Sequence, residues 1–176
     1  MRTGIIFVNS EKCLGCKRCH IACAVEHSPY DDLFDLVRAG GSSLSRVEFR
    51  PVGKRVVPIE CRHCEGALCV VACPTGALGR SEEGAPVLLQ EELCVGCKSC
   101  MVACPYGAIR TASKTGKVYK CDGCVERTKA GDLPACVDAC PVGCLTYETV
   151  EDLEEKCNQP QEVAVSLVQT AMQKGD

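Results

Sequence analysis

The sequence predicts an α+β fold assembled from a repeated unit of short strand, cysteine-bearing loop and short helix. Two observations carry that prediction. Four cysteine quartets follow one another along 176 residues: Cys13, Cys16, Cys19, Cys23; Cys61, Cys64, Cys69, Cys73; Cys94, Cys97, Cys100, Cys104; and Cys121, Cys124, Cys136, Cys140. In the last three, the final cysteine opens a near-identical phrase, C-P-T-G-A-L, C-P-Y-G-A-I and C-P-V-G-C-L, which marks an internal repeat.

The elements between the quartets read as follows. The segments Val47 to Val52 and Arg55 to Ile59 form a hairpin around Gly53-Lys54, with Pro51 and Pro58 placing it at an edge. A-L-G-R-S-E-E-G-A-P-V-L-L-Q reads as strand, turn at Ser81 to Gly84, strand; Ala108 to Thr111 and Val118 to Lys120 flank a second turn at Lys114 to Gly116. Residues 28–46 are rich in glycine, serine and charge, and their pattern selects no element. After Tyr147, Thr149 and Asp152 form a helix N-capping arrangement with Asp in place of the usual Glu or Gln. Pro160 then divides two helices, the second with an apolar stripe of Ala164, Leu167, Val168 and Ala171.

Eighteen cysteines are a tenth of the chain, a density that signals either a disulfide scaffold or metal binding. The opening M-R-T-G-I-I-F-V-N-S has a four-residue apolar run and no cleavage pattern. The expectation is therefore a reducing cytoplasm, where thiols bind metal, not each other. No apolar run approaches the roughly 20 residues of a membrane span, so direct membrane insertion is not expected.

The spacing chooses the metal. The first and third quartets are C-x2-C-x2-C-x3-C; the second widens one gap to four residues and the fourth to eleven. Three closely spaced thiolates on a loop can wrap three corners of an iron–sulfur cubane, with Gly15 and Gly96 letting the loop turn its amides toward sulfur. In two-cluster ferredoxins the fourth cysteine of such a run ligates the other cluster, so motifs must pair. Proline after that cysteine stops the helix, and the glycine two residues later relieves the turn. Structural zinc is the competing reading, but a zinc site gains nothing from three evenly spaced cysteines followed by Cys-Pro. Seven aromatic residues and no tryptophan agree with inorganic clusters occupying the core. The formal charge of −3 becomes about −11 if four oxidised clusters contribute about −2 each, which disfavours nucleic acid as a partner.

Outside the quartets, Cys144 and Cys157 read as small buried hydrophobes. His63, inside C-R-H-C, and His20 read as packing or as groups that tune a cluster without ligating it; His27 carries no signal. Lys17, Arg18, Arg62, Lys98 and Lys120 stand beside quartet cysteines and are either solvated surface or charges favouring a reduced cluster. There is no dinucleotide fingerprint, P-loop, H-E-x-x-H or acid/base pair, so the chain is not expected to be an enzyme.

With these motifs in place, the sequence resembles the four-cluster ferredoxin-like electron-transfer subunits of anaerobic oxidoreductases. That family includes the iron–sulfur subunits of dimethyl sulfoxide reductase, formate dehydrogenases and formate hydrogenlyase, and the iron–sulfur partner of carbon monoxide dehydrogenase. The resemblance spans about residues 5–147. C-R-H-C-E-G-A-L-C is similar to the family's second motif, with Ala67 where proline is usual, and K-C-D-G-C-V-E-R with C-V-D-A-C-P to its fourth. C-H-I-A-C-A-V-E-H-S, lacking proline after Cys23, looks most like the short members serving carbon monoxide dehydrogenase or tungsten aldehyde oxidoreductases.

The resemblance implies four [4Fe-4S] clusters with motif one paired to four and two to three. Their ligands would be Cys13, Cys16, Cys19 and Cys140; Cys121, Cys124, Cys136 and Cys23; Cys61, Cys64, Cys69 and Cys104; and Cys94, Cys97, Cys100 and Cys73. It implies two ferredoxin-like bicluster modules, one nested in the other: residues 1–58 and 114–148 form the outer, 59–113 the inner, and 149–176 a C-terminal helical tail. The function expected is single-electron transfer between a larger catalytic oxidoreductase subunit and a second redox protein. A polyferredoxin shuttle and a zinc-stabilised interaction module are the alternatives. The tail's apolar stripe serves core packing, partner docking or self-assembly.

Overall fold

The computed structural model describes residues 4–40, 45–53, 55–149 and 152. It is a small mixed helix-and-strand fold in which each quartet's first cysteines occupy a loop between a strand and a helix. The apolar run Ile5–Val8 is β1 and leads to α1 (Arg18–Glu26). β2 (Glu48–Val52) and β3 (Arg55–Ile59) precede α3 (Leu68–Val71), while α2 (Leu33–Arg38) lies upstream of them. β4 (Leu78–Gly79) and β5 (Leu88–Leu89) precede α4 (Ser99–Ala103); β6 (Ile109–Thr111) and β7 (Val118–Lys120) precede α5 (Val125–Ala130) and α6 (Ala135–Asp138). β8 (Leu145–Glu148) comes last.

The strands form four antiparallel pairs. Three are local hairpins, β2 with β3, β4 with β5 and β6 with β7. The fourth joins β1 to β8, with Ile5 opposite Glu148 and Val8 opposite Leu145, so strands far apart in sequence share one sheet. Gly4 seals this junction: its N–H donates to the Tyr147 hydroxyl at 3.0 Å, and a Cβ there would lie 2.7 Å from the Tyr147 ring.

Two apolar clusters follow the same division. One gathers Ile6, Val47, Val137 and Leu145 around Cys19, Cys23, Cys121 and Cys136. The other gathers Ala67, Leu78, Val87, Ile109 and Val118 around Cys100. Sulfur thus occupies positions that aromatic side chains fill in an ordinary core.

The third cysteine of every quartet, Cys19, Cys69, Cys100 and Cys136, lies within a helix. Cys73, Cys104 and Cys140 come just after theirs, because proline at 74, 105 and 141 ends the run. Cys23 has no such proline, and α1 continues through it to Glu26. Residues 28–46, where sequence selected no element, contain α2, capped by Asp32, whose side chain accepts from the Asp35 N–H at 2.8 Å. The tail expected over 149–176, with Cys157 and the apolar stripe, lies outside the described residues except Thr149 and Asp152. Those two form the reciprocal capping bonds: Asp152 N–H to Thr149 Oγ1 (3.2 Å) and Thr149 N–H to Asp152 Oδ2 (3.0 Å).

Candidate metal centres

Three small cavities are each framed by four quartet cysteines drawn from two motifs. Cys13, Cys16, Cys19 and Cys140 line one, between the first loop and the turn after α6. Cys73, Cys94, Cys97 and Cys100 line the second, and Cys61, Cys64, Cys69 and Cys104 the third. The remaining four are held together in the interior: Cys23, Cys121 and Cys124 all act electrostatically on Cys136, and all four are buried. Contact between α1 and α6 and between α3 and α4 brings the partner motifs together.

The separation within these groups is informative. Among the described residues, the group of three ligand atoms lying within 4.8 Å of one another is His27, Asp122 and Cys124; no cysteine trio is so close. A tetrahedral zinc ion with 2.3 Å bonds holds its sulfurs about 3.8 Å apart. The cysteine groups are too open for one ion and suit a larger, polynuclear centre.

Backbone amides turn toward the sulfurs. Those of His63, Gly123, Arg46 and Cys144 donate to Cys61, Cys121, Cys23 and Cys140 over 3.2–3.4 Å. The Cys-Pro-x-Gly phrase adds amides around the last cysteine of its quartet. Burial opposes ionisation of Cys140, but the amides of Leu145, Val142, Cys144 and Gly143 hold it below the ordinary thiol range. At Cys73, burial is likewise outweighed by the amides of Leu78, Thr75 and Ala77 and by the Thr75 hydroxyl. Gly76 and Gly143 adopt φ of +67° and +58°, which lets the chain curl round the sulfur. Thiols deeper inside shift the other way: burial, then Glu60, push Cys19 up to about 12. Buried thiols without a metal stay protonated, so metal binding must displace those protons.

Several side chains have roles that their sequence positions did not announce. His27 Nε2 donates to Asp122 Oδ1 at 3.1 Å and its Nδ1 to the Cys23 carbonyl at 2.8 Å. Burial lowers its pKa, but hydrogen bonding to Asp122 and Cys23 wins and pushes it up to about 10. Arg46 Nη1 contacts Asp122 Oδ2 at 2.5 Å, so Asp122 ties α1, the 28–46 insertion and the fourth motif together. The trio His27, Asp122 and Cys124 is accounted for by these bonds and by the Cys124 N–H donating to Asp122. Lys120 is buried, its ammonium donating to the carbonyls of Val87 (2.5 Å) and Cys121 (2.6 Å); Lys17, Arg18, Arg62 and Lys98 are exposed. His20 Nδ1 bonds the Val47 carbonyl at 2.9 Å. Cys144 is buried, as expected of a small hydrophobe, yet it shares the cavity of Cys13, Cys16, Cys19 and Cys140; burial, then Cys13, push its pKa up to about 12. Glu60 is buried with Oε1 unpartnered, and burial, eased by Arg62, raises its pKa to about 7.

Repeated strand, cysteine loop and helix around open sulfur groups define a multi-cluster iron–sulfur protein. Comparison with known proteins gives the family. Residues 52–150 match the 4Fe-4S dicluster domain, and residues 10–26 a 4Fe-4S binding domain. The B subunit of the anaerobic dimethyl sulfoxide reductase of Haemophilus influenzae is 34% identical over 160 residues, covering 85% of this chain and 76% of that subunit. An iron–sulfur protein of Rhodospirillum rubrum is 40% identical over 149 residues, covering 78% and 77%. The iron–sulfur subunit of the nitrate-inducible formate dehydrogenase of Escherichia coli is 34% identical over 166 residues, 86% of this chain and 56% of that subunit. The chain belongs to this 4Fe-4S family of iron–sulfur electron-transfer subunits, of dimethyl sulfoxide reductase type, and its cofactors are four [4Fe-4S] clusters. No helix among the described residues is long and apolar enough to cross a membrane.

Proposed function

We propose that this chain is a non-catalytic electron conduit with sixteen cysteine ligands in four sets, located in the cytoplasm. The sets are Cys13, Cys16, Cys19 with Cys140; Cys121, Cys124, Cys136 with Cys23; Cys61, Cys64, Cys69 with Cys104; and Cys94, Cys97, Cys100 with Cys73. The observation that carries this reading is that cysteines from motifs one and four, and from two and three, surround common spaces. The antiparallel β1–β8 pair supports an outer module made of 1–58 and 114–148 around an inner one of 59–113. Each cluster supplies a one-electron couple. The protein's part is to hold the thiolates, aim amides at sulfur and keep water out, which fixes spacing and potential.

Four centres in series suit a subunit that spans two partners, a larger catalytic subunit and a second redox protein. The catalytic partner in this reading is of carbon monoxide dehydrogenase or tungsten aldehyde oxidoreductase type, supported by the helix that runs on past Cys23 where the other motifs break at proline. The deciding experiment is iron, sulfide and zinc analysis of protein purified anaerobically, with co-purifying chains identified in the same sample. About sixteen irons per chain, together with a large redox enzyme, is the expected result. Full iron with no partner makes the chain a shuttle, and stoichiometric zinc without iron overturns the ligand assignment.

A further inference from the structure

The third position of each cysteine loop takes a left-handed backbone. It is Gly15 (φ +65°), Gly96 (+71°) and Gly123 (+75°) in three loops, but His63 (+45°) in the second. An L-residue in that region costs about 1–2 kcal/mol. The backbone function does not call for a side chain: the His63 N–H donates to Cys61 Sγ at 3.4 Å just as the Gly123 N–H donates to Cys121 Sγ at 3.3 Å. Strain of this kind clusters at functional positions.

The imidazole's surroundings indicate a use for it. His63 is partly exposed as a residue, but both ring nitrogens are shut off from solvent and neither has a hydrogen-bond partner. The Val87 carbonyl acts on the ring only weakly and lies outside bonding geometry. In either protonation state the imidazole carries at least one N–H. A buried N–H without an acceptor costs about 1–3 kcal/mol. His63 lines the cavity framed by Cys61, Cys64, Cys69 and Cys104 and also, with Gly123, a larger cavity, and its Nε2 would lie 3.7 Å from a Cβ on Gly123. It therefore sits in the wall between the second and fourth loops.

We propose that His63 donates its ring N–H to sulfur of the cluster held by Cys61, Cys64, Cys69 and Cys104, and so raises that cluster's reduction potential. The proposal rests on the ligand assignment above. A hydrogen bond to sulfur favours the more negative, reduced state. The donor stands at the junction of the two cysteine groups, where the level of this one centre governs passage between them.

The test is a potentiometric titration followed by electron paramagnetic resonance, with iron content measured on the same samples, for the wild-type chain, His63→Gly and His63→Asn. Glycine is the residue of the other three loops and removes both strain and donor. Asparagine tolerates the left-handed region and restores a donor. At full iron content, His63→Gly is expected to lower one midpoint by tenfold in the reduced-to-oxidised ratio, about 59 mV for one electron, and to leave three unmoved; His63→Asn recovers part of the shift. Four unmoved midpoints in the glycine variant, or equal shifts in both variants, overturn the proposal. Zinc in place of iron in the wild type overturns instead the assignment beneath it. Should the glycine variant fail to assemble, His63→Phe, a ring without a donor, is judged by the same midpoints.

Discussion

A single methyl group tests the loop geometry at Gly96. Its φ is +71°, and a Cβ there would stand 2.8 Å from the Gly116 carbonyl oxygen, a backbone atom that no rotamer change can move aside. Gly96→Ala is expected to cost at least about 1–2 kcal/mol from the backbone alone, read as a lower temperature of cluster loss; an unchanged temperature would refute the close approach. Cysteine identity at the cavity framed by Cys13, Cys16, Cys19 and Cys140 permits a sharper contrast. Cys13 and Cys144 both line it, but only Cys13 belongs to the proposed ligand set, and Cys144 stands where the repeat elsewhere has Ala77 and Ala108. Cys144→Ala should therefore retain about sixteen irons per chain, whereas Cys13→Ala should fall below that number. Equal iron in both variants would show that Cys144 can take the place of Cys13.

Among the elements, the least advertised is the joint made by Asp122. Its carboxylate receives His27 from the end of α1 and Arg46 from the insertion, and burial of the group is outweighed by these bonds, which hold its pKa well below the carboxylate range. Asp122→Asn and Arg46→Met should each destabilise by about 1.5–3 kcal/mol, the worth of a charge-assisted bond. The double variant should cost less than their sum, because one interaction is removed twice; strict additivity in thermal cluster loss would dissolve the joint. The joint also shows what a single sequence conceals. The hairpins at 47–59, 78–89 and 109–120 were legible because alternation and turn residues are local signals. The C-P-x-G phrase was legible as punctuation, but its amide cradle around Cys73 and Cys140 was not, since that requires the path of four successive residues. α2 escaped because six residues carry too little periodicity to stand out. His27 escaped because its partner Asp122 is 95 positions away, and the burial of Lys120, singled out only as a charge beside Cys121, escaped because the Val87 carbonyl that receives it is 33 positions away.

For the whole molecule, neighbour relations place the four cysteine groups in a succession. Glu60 acts on both Cys19 and Cys136, which links the Cys13 group to the buried Cys121 group. His63 links that group to the Cys61 group through Gly123, and Cys69 acts on Cys100 to link the Cys61 group to the Cys94 group. The two terminal groups are those with a solvent-exposed member, Cys16 in one and Cys97 in the other, whereas Cys23, Cys121, Cys124 and Cys136 are all buried. Each exposed cysteine has an exposed apolar neighbour in its loop, Leu14 at 70% and Val95 at 69%. The conduit proposed above, with two terminal ports, requires these patches to meet different proteins. Leu14→Asp and Val95→Asp should leave iron content intact, while one slows reduction by the donor and the other slows oxidation by the acceptor in anaerobic stopped-flow measurements. If either variant slowed both half-reactions alike, a single port would serve both partners, and the linear order would have no functional meaning.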